Sequence, residues 1–204
     1  MIRLDREGPV WTVTLDRADK ANAVTRDMLI RIRDIAAAAE QADLAALILT
    51  GEGRVFSAGA DIEAARAGLA TDGVWEEVSS RLARLPCLTV AALNGTLAGG
   101  AFGMALACDV RLALPHARFF YPVMELGFLP QPSDPVRLTA LIGSARAKLI
   151  LLAAQKIDAE TACSWGLVDR VVEGDLLDAA RELTEAPAAA PAHIRRTIKR
   201  MIPA

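Results

Sequence analysis

The chain has 204 residues, of which 53% are hydrophobic and 24% are charged, so it can bury a sizeable core and is not disordered. A net charge of −2 and an aromatic content of 4% disfavour a nucleic-acid-binding protein, which needs a basic face and stacking rings. Three cysteines without a CxxC pair and two histidines argue against a disulfide framework or a metal site. We therefore expect a cytoplasmic protein that binds neither metal nor nucleic acid.

The first two-thirds of the chain alternate predicted strands and helices. Apolar and polar residues alternate on both sides of Glu7-Gly8-Pro9, which predicts a β-hairpin. Continuous apolar runs predict strands that are covered on both faces. In chain order, the predicted elements are strands at 2–5 and 10–15, a helix at about 25–42, a strand at 45–50, helical segments up to Pro86, a strand at 88–93, a helix at 99–107 and a strand at 109–113. This order predicts a parallel α/β core.

The last third of the chain is predicted to be helical from 136 to 202, apart from one strand-like run at 167–172. We accordingly divide the chain into a core at 1–135 and a C-terminal helical region at 136–204 of the same domain. The uncharged stretch 88–108 has the length of a membrane span. Because the turn signal Asn94-Gly95 lies inside it, a strand, a turn and a buried helix are the better interpretation, and we expect no membrane partner.

Two loops of small residues, at 56–62 and 94–103, follow predicted buried strands. Glycine permits backbone conformations that expose N–H groups, and N–H groups at the start of a helix bind oxyanions. Two such groups that converge on one oxygen form an oxyanion hole. Composition alone favours the alternative, in which small residues simply allow close packing.

Five ordered segments make the sequence similar to the crotonase (enoyl-CoA hydratase/isomerase) superfamily. Segment 15–23 resembles its first acyl-CoA-binding loop, 48–62 and 92–109 resemble its two oxyanion segments, and 121–130 and 159–172 follow in register. The resemblance implies an α/β fold, a crotonase-like spiral of ββα units with a shortened C-terminal helical region. It also implies a homo-oligomer (a trimer or a dimer of trimers) and an acyl-CoA substrate, with coenzyme A as part of the substrate and no other cofactor.

The resemblance further implies that the N–H groups of Ala60 and Gly100 polarise the thioester carbonyl. These donors would stabilise an enolate more strongly in the transition state than in the ground state. Tyr121 is either part of the acyl pocket or a packed ring. The other positions that the resemblance places at the substrate are Asn22, Ala23, Ala58, Asp61, Ile62 and Gly99.

The sequence departs from the hydratase pattern at both of its usual glutamates. They correspond to Gly103 and Val123 here, and an alkyl group cannot act as an acid or a base. We therefore reject ordinary hydration by these positions. Isomerisation, decarboxylation or a related enolate step is the leading hypothesis, and a catalytically silent acyl-CoA-binding helper subunit is the alternative.

Three residues are candidates to replace the missing carboxylates. Several isomerases and dehalogenases of the superfamily carry a carboxylate at the position of Gln131, but an amide takes up no proton at physiological pH. Asp134, one helical turn later, is either an acid/base group or a helix N-cap. Glu125 is either an acid/base group or a solvated surface charge. The basic stretch 195–200 is either a contact to the phosphates of coenzyme A or a solvated helix face.

Overall fold

The computed structural model describes residues 1–202. The strands are β1 (Ile2–Glu7), β2 (Val10–Leu15), β3 (Ala46–Gly51), β4 (Val55–Ser57), β5 (Leu88–Leu93), β6 (Thr96–Ala98), β7 (Val110–Ala113), β8 (Arg118–Phe120), β9 (Ile157–Asp158) and β10 (Arg170–Val171). The α-helices are α1 (Arg26–Gln41), α2 (Ile62–Arg66), α3 (Val74–Arg84), α4 (Phe102–Leu106), α5 (Val123–Leu126), α6 (Asp134–Leu151), α7 (Ala159–Trp165), α8 (Leu176–Ala189) and α9 (Ala192–Met201).

Within the described part of the chain, the strands form two sheets. The larger sheet has the order β1-β2-β3-β5-β7-β10, and it is parallel apart from the predicted β1–β2 hairpin. The smaller sheet has the order β4-β6-β8-β9, in which only the β8–β9 pair is antiparallel. Each parallel neighbour is reached through a crossover, as the alternation of strands and helices predicted.

The core lies on both faces of the larger sheet, because its central strands are apolar throughout. The side chains of Leu47 and Leu49 contact one apolar cluster, which α1 and α3 complete, whereas Ile48 joins a smaller cluster that α8 covers. Alternation along the strand therefore sends successive residues into different layers. A strand covered on both faces reads as a continuous apolar run, which explains why β3 and β5 could be predicted.

The two small-residue loops leave the smaller sheet side by side. Strands β4 and β6 are parallel, with Ser57 paired to Leu97, and each ends at the same edge of the sheet. Residues 58–61 follow β4, and a 3₁₀-helix at Gly99–Ala101 follows β6. The sheet register therefore places the two loops next to each other.

The C-terminal region contributes strands as well as helices. Strand β9 pairs with β8 and strand β10 pairs with β7, so the region extends both sheets. The sequence predicted β10 within 167–172 but missed β9, which is only two residues long. The last two residues of the predicted region 136–204 lie outside the described residues.

The two most engaged side chains of the basic stretch 195–200 are hydrogen-bonded to the protein itself, so the solvated-face interpretation is wrong for them, whereas the contact to the phosphates of coenzyme A stays a prediction. Arg195 donates hydrogen bonds to the carbonyl oxygens of Asp43 and Leu44, just before β3. Lys199 donates to the Cys87 carbonyl oxygen at 2.6 Å, just before β5, and to the Asp109 carboxylate at 2.7 Å. The helix therefore lies at the amino ends of the parallel strands, whereas the small-residue loops follow carboxyl ends.

The apolar stretch 88–108 is divided between β5, β6 and α4, as the turn at Asn94-Gly95 predicted. No helix within residues 1–202 combines the length and the apolar character that a membrane span requires.

Candidate active site

The first loop, 58–61, leaves one backbone N–H group free. The N–H groups of Ala58 and Asp61 donate to backbone carbonyls at 2.9 Å, and the N–H of Gly59 donates to the Ser57 hydroxyl at 3.1 Å. The N–H of Ala60 donates no hydrogen bond to any residue within 1–202. Ala60 itself is partly exposed.

The second loop presents an N–H group at the start of a helix. Gly100 is the second residue of the 3₁₀-helix, and its N–H therefore precedes the first acceptor that the helix itself provides. Gly99 adopts a positive φ of 54°, which turns the chain from β6 into this helix without a side-chain clash. Gly99 and Gly100 are both partly exposed.

The two loops touch through their glycines. A Cβ atom added to Gly59 would lie 3.0 Å from the Ala98 carbonyl oxygen and 3.4 Å from the Cα of Gly99. Gly59 has a φ of 91°, so a side chain there would be strained as well as crowded. Ala60 and Gly100, whose N–H groups are candidate oxyanion donors, each directly follow one of these contacting glycines.

The predicted acyl-CoA-binding loop, 15–23, supports the first oxyanion segment. Asn22 is fully buried, and its side chain accepts the N–H of Arg17 and donates to the carbonyls of Glu52 and Val55. Its own carbonyl accepts the Ser57 hydroxyl at 2.8 Å. The Asn22 side chain therefore serves the loop itself, and Ala23, which is partly exposed, is the neighbouring position that faces outward.

Three more of the predicted substrate positions lie at the surface of the first oxyanion segment. Ala58 is exposed, and Ile62, the first residue of α2, is 69% exposed. Asp61 is the N-cap of α2, and its carboxylate accepts a hydrogen bond from Arg17 at 2.8 Å. This hydrogen bond and those from the first N–H groups of α2 lower the pKa of Asp61, so its carboxylate is held as a charged cap.

The Trp75 ring packs against the second loop, a contact that was not predicted from the sequence. A Cβ atom added to Gly100 would lie 3.4 Å from three carbons of the Trp75 ring. The ring is buried, and its indole N–H donates to the Leu69 carbonyl at 2.9 Å. A lone tryptophan in a predicted helix gives no indication of this contact, since the contact depends on how α3 packs against α4.

Asp134 is fully buried beside α4, and one oxygen of its carboxyl group is free. Oδ2 accepts the Tyr121 hydroxyl at 2.9 Å, whereas Oδ1 has no hydrogen-bond partner within residues 1–202. Oδ1 would lie 2.9 Å from a Cβ atom added to Gly103. The carboxyl group therefore fills the space that a side chain at position 103 would need.

Burial is the main cause that raises the pKa of Asp134, to about 7. The Tyr121 hydroxyl and the charge of Arg137 act in the opposite direction, and the charge of Glu76 adds to the rise. Because Ser133 donates to the Glu76 carboxylate at 2.9 Å, the pKa of Glu76 is lowered despite its partial burial. Asp134 is thus a carboxyl group that changes protonation near neutral pH.

The N-cap interpretation of Asp134 is wrong. Asp134 is the first residue of α6, Ser133 holds the N-cap position, and the Asp134 side chain is bonded to Tyr121 instead. Tyr121 is buried and stacks on Phe102 with ring centroids 5.3 Å apart. The packed-ring interpretation of Tyr121 therefore holds, and its hydroxyl has a specific partner.

The other two acid/base candidates differ in position. Gln131 is buried beside this cluster: its N–H donates to the Tyr121 hydroxyl at 3.3 Å and its side-chain amide donates to the Ala70 carbonyl at 3.3 Å. Glu125 is exposed on α5 and makes no hydrogen bond or ion pair with any residue in 1–202. Glu125 lies on the helical turn formed by residues 123–126.

Comparison with known proteins identifies the family of this chain. The family model described as enoyl-CoA hydratase/isomerase matches residues 5–203. The chain belongs to the enoyl-CoA hydratase/isomerase family.

Proteins that are similar to this chain are named for different reactions. The chain is 33% identical to 4-chlorobenzoyl coenzyme A dehalogenase-2 of an Arthrobacter species over 98% of its length and 77% of the relative. It is 36% identical to a short-chain-enoyl-CoA hydratase of Clostridium acetobutylicum over 88% of its length and 72% of the relative.

Two solved structures share the fold over 98% of this chain. An enoyl-CoA hydratase/isomerase from Pseudoalteromonas atlantica superposes with a TM-score of 0.90 at 28% identity over 81% of its own chain. DspI of Pseudomonas aeruginosa superposes with a TM-score of 0.89 at 33% identity over 85% of its own chain. The crotonase-like α/β fold predicted from the five segments is therefore confirmed.

Proposed function

We propose that this enoyl-CoA hydratase/isomerase-family chain is an enzyme that forms a thioester enolate, with the N–H groups of Ala60 and Gly100 as its oxyanion hole. The contact between Gly59 and Gly99 is the observation that supports the proposal, because Ala60 and Gly100 directly follow these two glycines and their N–H groups have no backbone acceptor within residues 1–202. Preorganised donors of this kind act where negative charge develops. The substrate is an acyl-CoA thioester, and the reaction needs no further cofactor.

The carboxyl group of Asp134 favours double-bond isomerisation among the enolate reactions. In this scheme Asp134 takes a proton from C2 of a 3-enoyl thioester, and the electron pair moves to the thioester oxygen at the oxyanion hole. The C3–C4 double bond then becomes a C2–C3 double bond as the carboxyl group returns a proton to C4. One carboxyl group is sufficient for these two transfers, whereas hydration by the usual route needs two.

The residues at the other acid/base positions of the family argue against hydration by the usual route. Gly103 and Val123 stand where hydratases carry their glutamates, and the buried Val123 side chain offers no proton acceptor. Gln131 holds the Tyr121 hydroxyl and gives no acid/base chemistry. Asp134 is thus the carboxyl group that packs against Gly103 of α4, and in this scheme Glu125 takes no part.

The test is a panel of acyl-CoA thioesters, including 3-enoyl-CoA, incubated with the purified protein in heavy water. Nuclear magnetic resonance reads the position of the double bond and any deuterium at C2 and C4. We expect the double bond to move into conjugation with the thioester. Binding of coenzyme A esters with neither double-bond movement nor deuterium uptake would contradict the proposal.

That contradicting result is the expectation of the second candidate, a silent acyl-CoA-binding helper subunit. The full burial of Asp134 favours this candidate, because a direct proton transfer needs the carboxyl group to reach the substrate. The helper predicts binding without turnover across the whole panel, together with formation of a complex with a catalytically competent relative.

The compartment and the assembly remain predictions. Cys87, Cys108 and Cys163 are all free, which fits a reducing cytoplasm, and burial raises the pKa of the Cys87 thiol to about 11. We propose that a homo-oligomer forms through the exposed apolar residues of α5 and of the segment that follows it.

A further inference from the structure

Gly103, Asp134 and Tyr121 come from three different elements and meet at one buried point. Gly103 lies on α4, Asp134 begins α6, and Tyr121 follows β8. Tyr121 accepts the N–H of Gln131 and donates its own proton to Oδ2 of Asp134. Since the phenol has one proton and it is used on Oδ2, Oδ1 is left as the free acceptor, aimed at the bare α-carbon of Gly103.

We propose that Tyr121 is a positioning residue which turns the free oxygen of Asp134 toward Gly103, and that glycine at 103 is what admits this carboxyl group. The structural part of the proposal stands on its own contacts. Its catalytic consequence, that Oδ1 is the oxygen that moves the substrate proton, rests on the proposed function.

The space at Gly103 is the first argument. Real Cβ atoms essentially never approach an oxygen as closely as the 2.9 Å that separates Oδ1 from an added Cβ, so a side chain there must displace Asp134 or α4. Neither displacement is cheap, because Asp134 is fully buried and Phe102 and Met104, which flank Gly103, are buried as well. Close-packed interiors respond to one extra methyl group.

The free oxygen is the second argument. A buried carboxyl oxygen without a partner carries a desolvation cost that packing alone does not require. Serine or threonine would fill the same space with less charge. A carboxyl group with one oxygen hydrogen-bonded and the other without a partner is suited to accept or give a proton. Its surroundings also support this role: the titratable or charged groups that face it are Tyr121, Arg137 on its own helix and Glu76 on α3, while residues 102–106 of α4 add none.

The first experiment is a stability cycle that requires no substrate. Gly103→Ala is made in the natural chain and in an Asp134→Ala background, and thermal unfolding is measured for all four proteins. We expect the melting temperature to fall by about 5 °C in the natural chain and to change little when Asp134 is already alanine. Gly73→Ala is the matched control, since Gly73 has an ordinary φ and open space around its α-carbon.

An equal loss in both backgrounds would overturn the claim that Asp134 and a side chain at 103 exclude each other. Because the cycle uses no acyl-CoA, it gives a result even if the chain proves to be a silent helper.

The second experiment tests the positioning role of Tyr121. Tyr121→Phe keeps the ring stacked on Phe102 and removes the hydroxyl, so the carboxylate of Asp134 loses a hydrogen bond that favours its charged form. We expect the carboxyl titration of Asp134, followed by carbon-13 resonance, to move to higher pH, and the rising limb of the isomerisation rate to move with it. A merely structural role would lower stability and leave both midpoints in place, which would overturn the proposal.

These measurements distinguish a failure of the positioning role of Tyr121 from a failure of the proposed function. If the resonance titration moves but no acyl-CoA is turned over, Tyr121 positions Asp134 and the proposed function fails. If turnover occurs and neither midpoint moves, the proposed function stands and Tyr121 has no positioning role.

Discussion

The backbone donor at Ala60 is the one N–H of its loop that can be removed without breaking a hydrogen bond of the protein. The neighbouring donors at Ala58, Gly59 and Asp61 are all engaged, and they fix the loop against the segment that contains Asn22. The loop is therefore held rigid by the groups around the free donor, which is what preorganisation requires.

Ala60→Pro removes this donor. We expect the rate of the enolate reaction to fall by a factor on the order of 10²–10³, because one oxyanion donor is lost. The measurement is the turnover of the best substrate in the panel, with the affinity for its coenzyme A ester determined separately. Ala58→Pro is the matched control, since it removes an N–H that binds the Ala21 carbonyl and should lower the stability of the fold. A full rate in Ala60→Pro would contradict the oxyanion role.

Asp134 makes the stability of the fold depend on pH. Its pKa is raised from 3.8 to about 7 by burial, so the folded chain holds a proton that the unfolded chain releases between pH 4 and 7. Stability conferred by this proton is fully present below pH 4 and is lost as the pH rises toward 7, by up to about 1.4 kcal/mol for each pH unit.

Asp134→Asn should therefore flatten the pH dependence of stability in that window. The free energy of unfolding is measured with urea from pH 4 to 8 for both proteins. We expect the natural chain to lose stability relative to Asp134→Asn as the pH rises from 4 to 7. We also expect Asp134→Asn to lose the enolate reaction. Parallel stability curves would show that Asp134 titrates as an ordinary carboxylate.

Helix α9 is hydrogen-bonded to the segments that precede three strands of the larger sheet. Its two most engaged cations bind carbonyl oxygens just before β3 and β5, and Lys199 also binds Asp109 before β7. The helix therefore holds three strands at their amino ends, and we expect it to contribute to stability rather than to binding of coenzyme A.

Lys199→Met removes two of these contacts. We expect the free energy of unfolding to fall by about 1 kcal/mol and the affinity for acyl-CoA to stay the same. Arg200→Met is the matched control, because the side chain of Arg200 hydrogen-bonds only to Thr197 among residues 1–202 and its loss should change stability by less than about 0.5 kcal/mol. Weaker binding of coenzyme A in Lys199→Met, with stability unchanged, would restore the phosphate-contact hypothesis.

The elements that could be predicted from the sequence are those whose signal is local. The apolar runs of β3 and β5 and the small-residue loops are visible in the sequence because burial on both faces and tight turns need particular residues in a row. The anchoring of α9, the cover that Trp75 forms over Gly100 and the entry of Asp134 beside Gly103 depend on contacts between distant segments. Nothing in the local pattern encodes them.

An exposed apolar segment runs along α5 and the residues that follow it. Leu126 is 62% exposed and Leu129 is 83% exposed, and Met124 and Phe128 are exposed as well. Contiguous apolar surface of this kind is typical of an interface, which supports the predicted homo-oligomer.

We expect light scattering to give the mass of an oligomer for the natural chain and a smaller mass for Leu129→Glu, since a charge in an apolar interface is unfavourable. The circular dichroism spectrum should be unchanged. A monomeric natural chain would contradict the prediction.

The close approach of Gly59 and Gly99, which leaves no room for a Cβ atom on Gly59, has a practical consequence for anyone who wishes to change the acyl group of the proposed substrate. In the proposed oxyanion hole, the spacing of the Ala60 and Gly100 N–H groups depends on this contact between two main-chain segments. We therefore expect a mutant library that varies the surrounding side chains but holds these two glycines constant to keep the proposed oxyanion hole in every member.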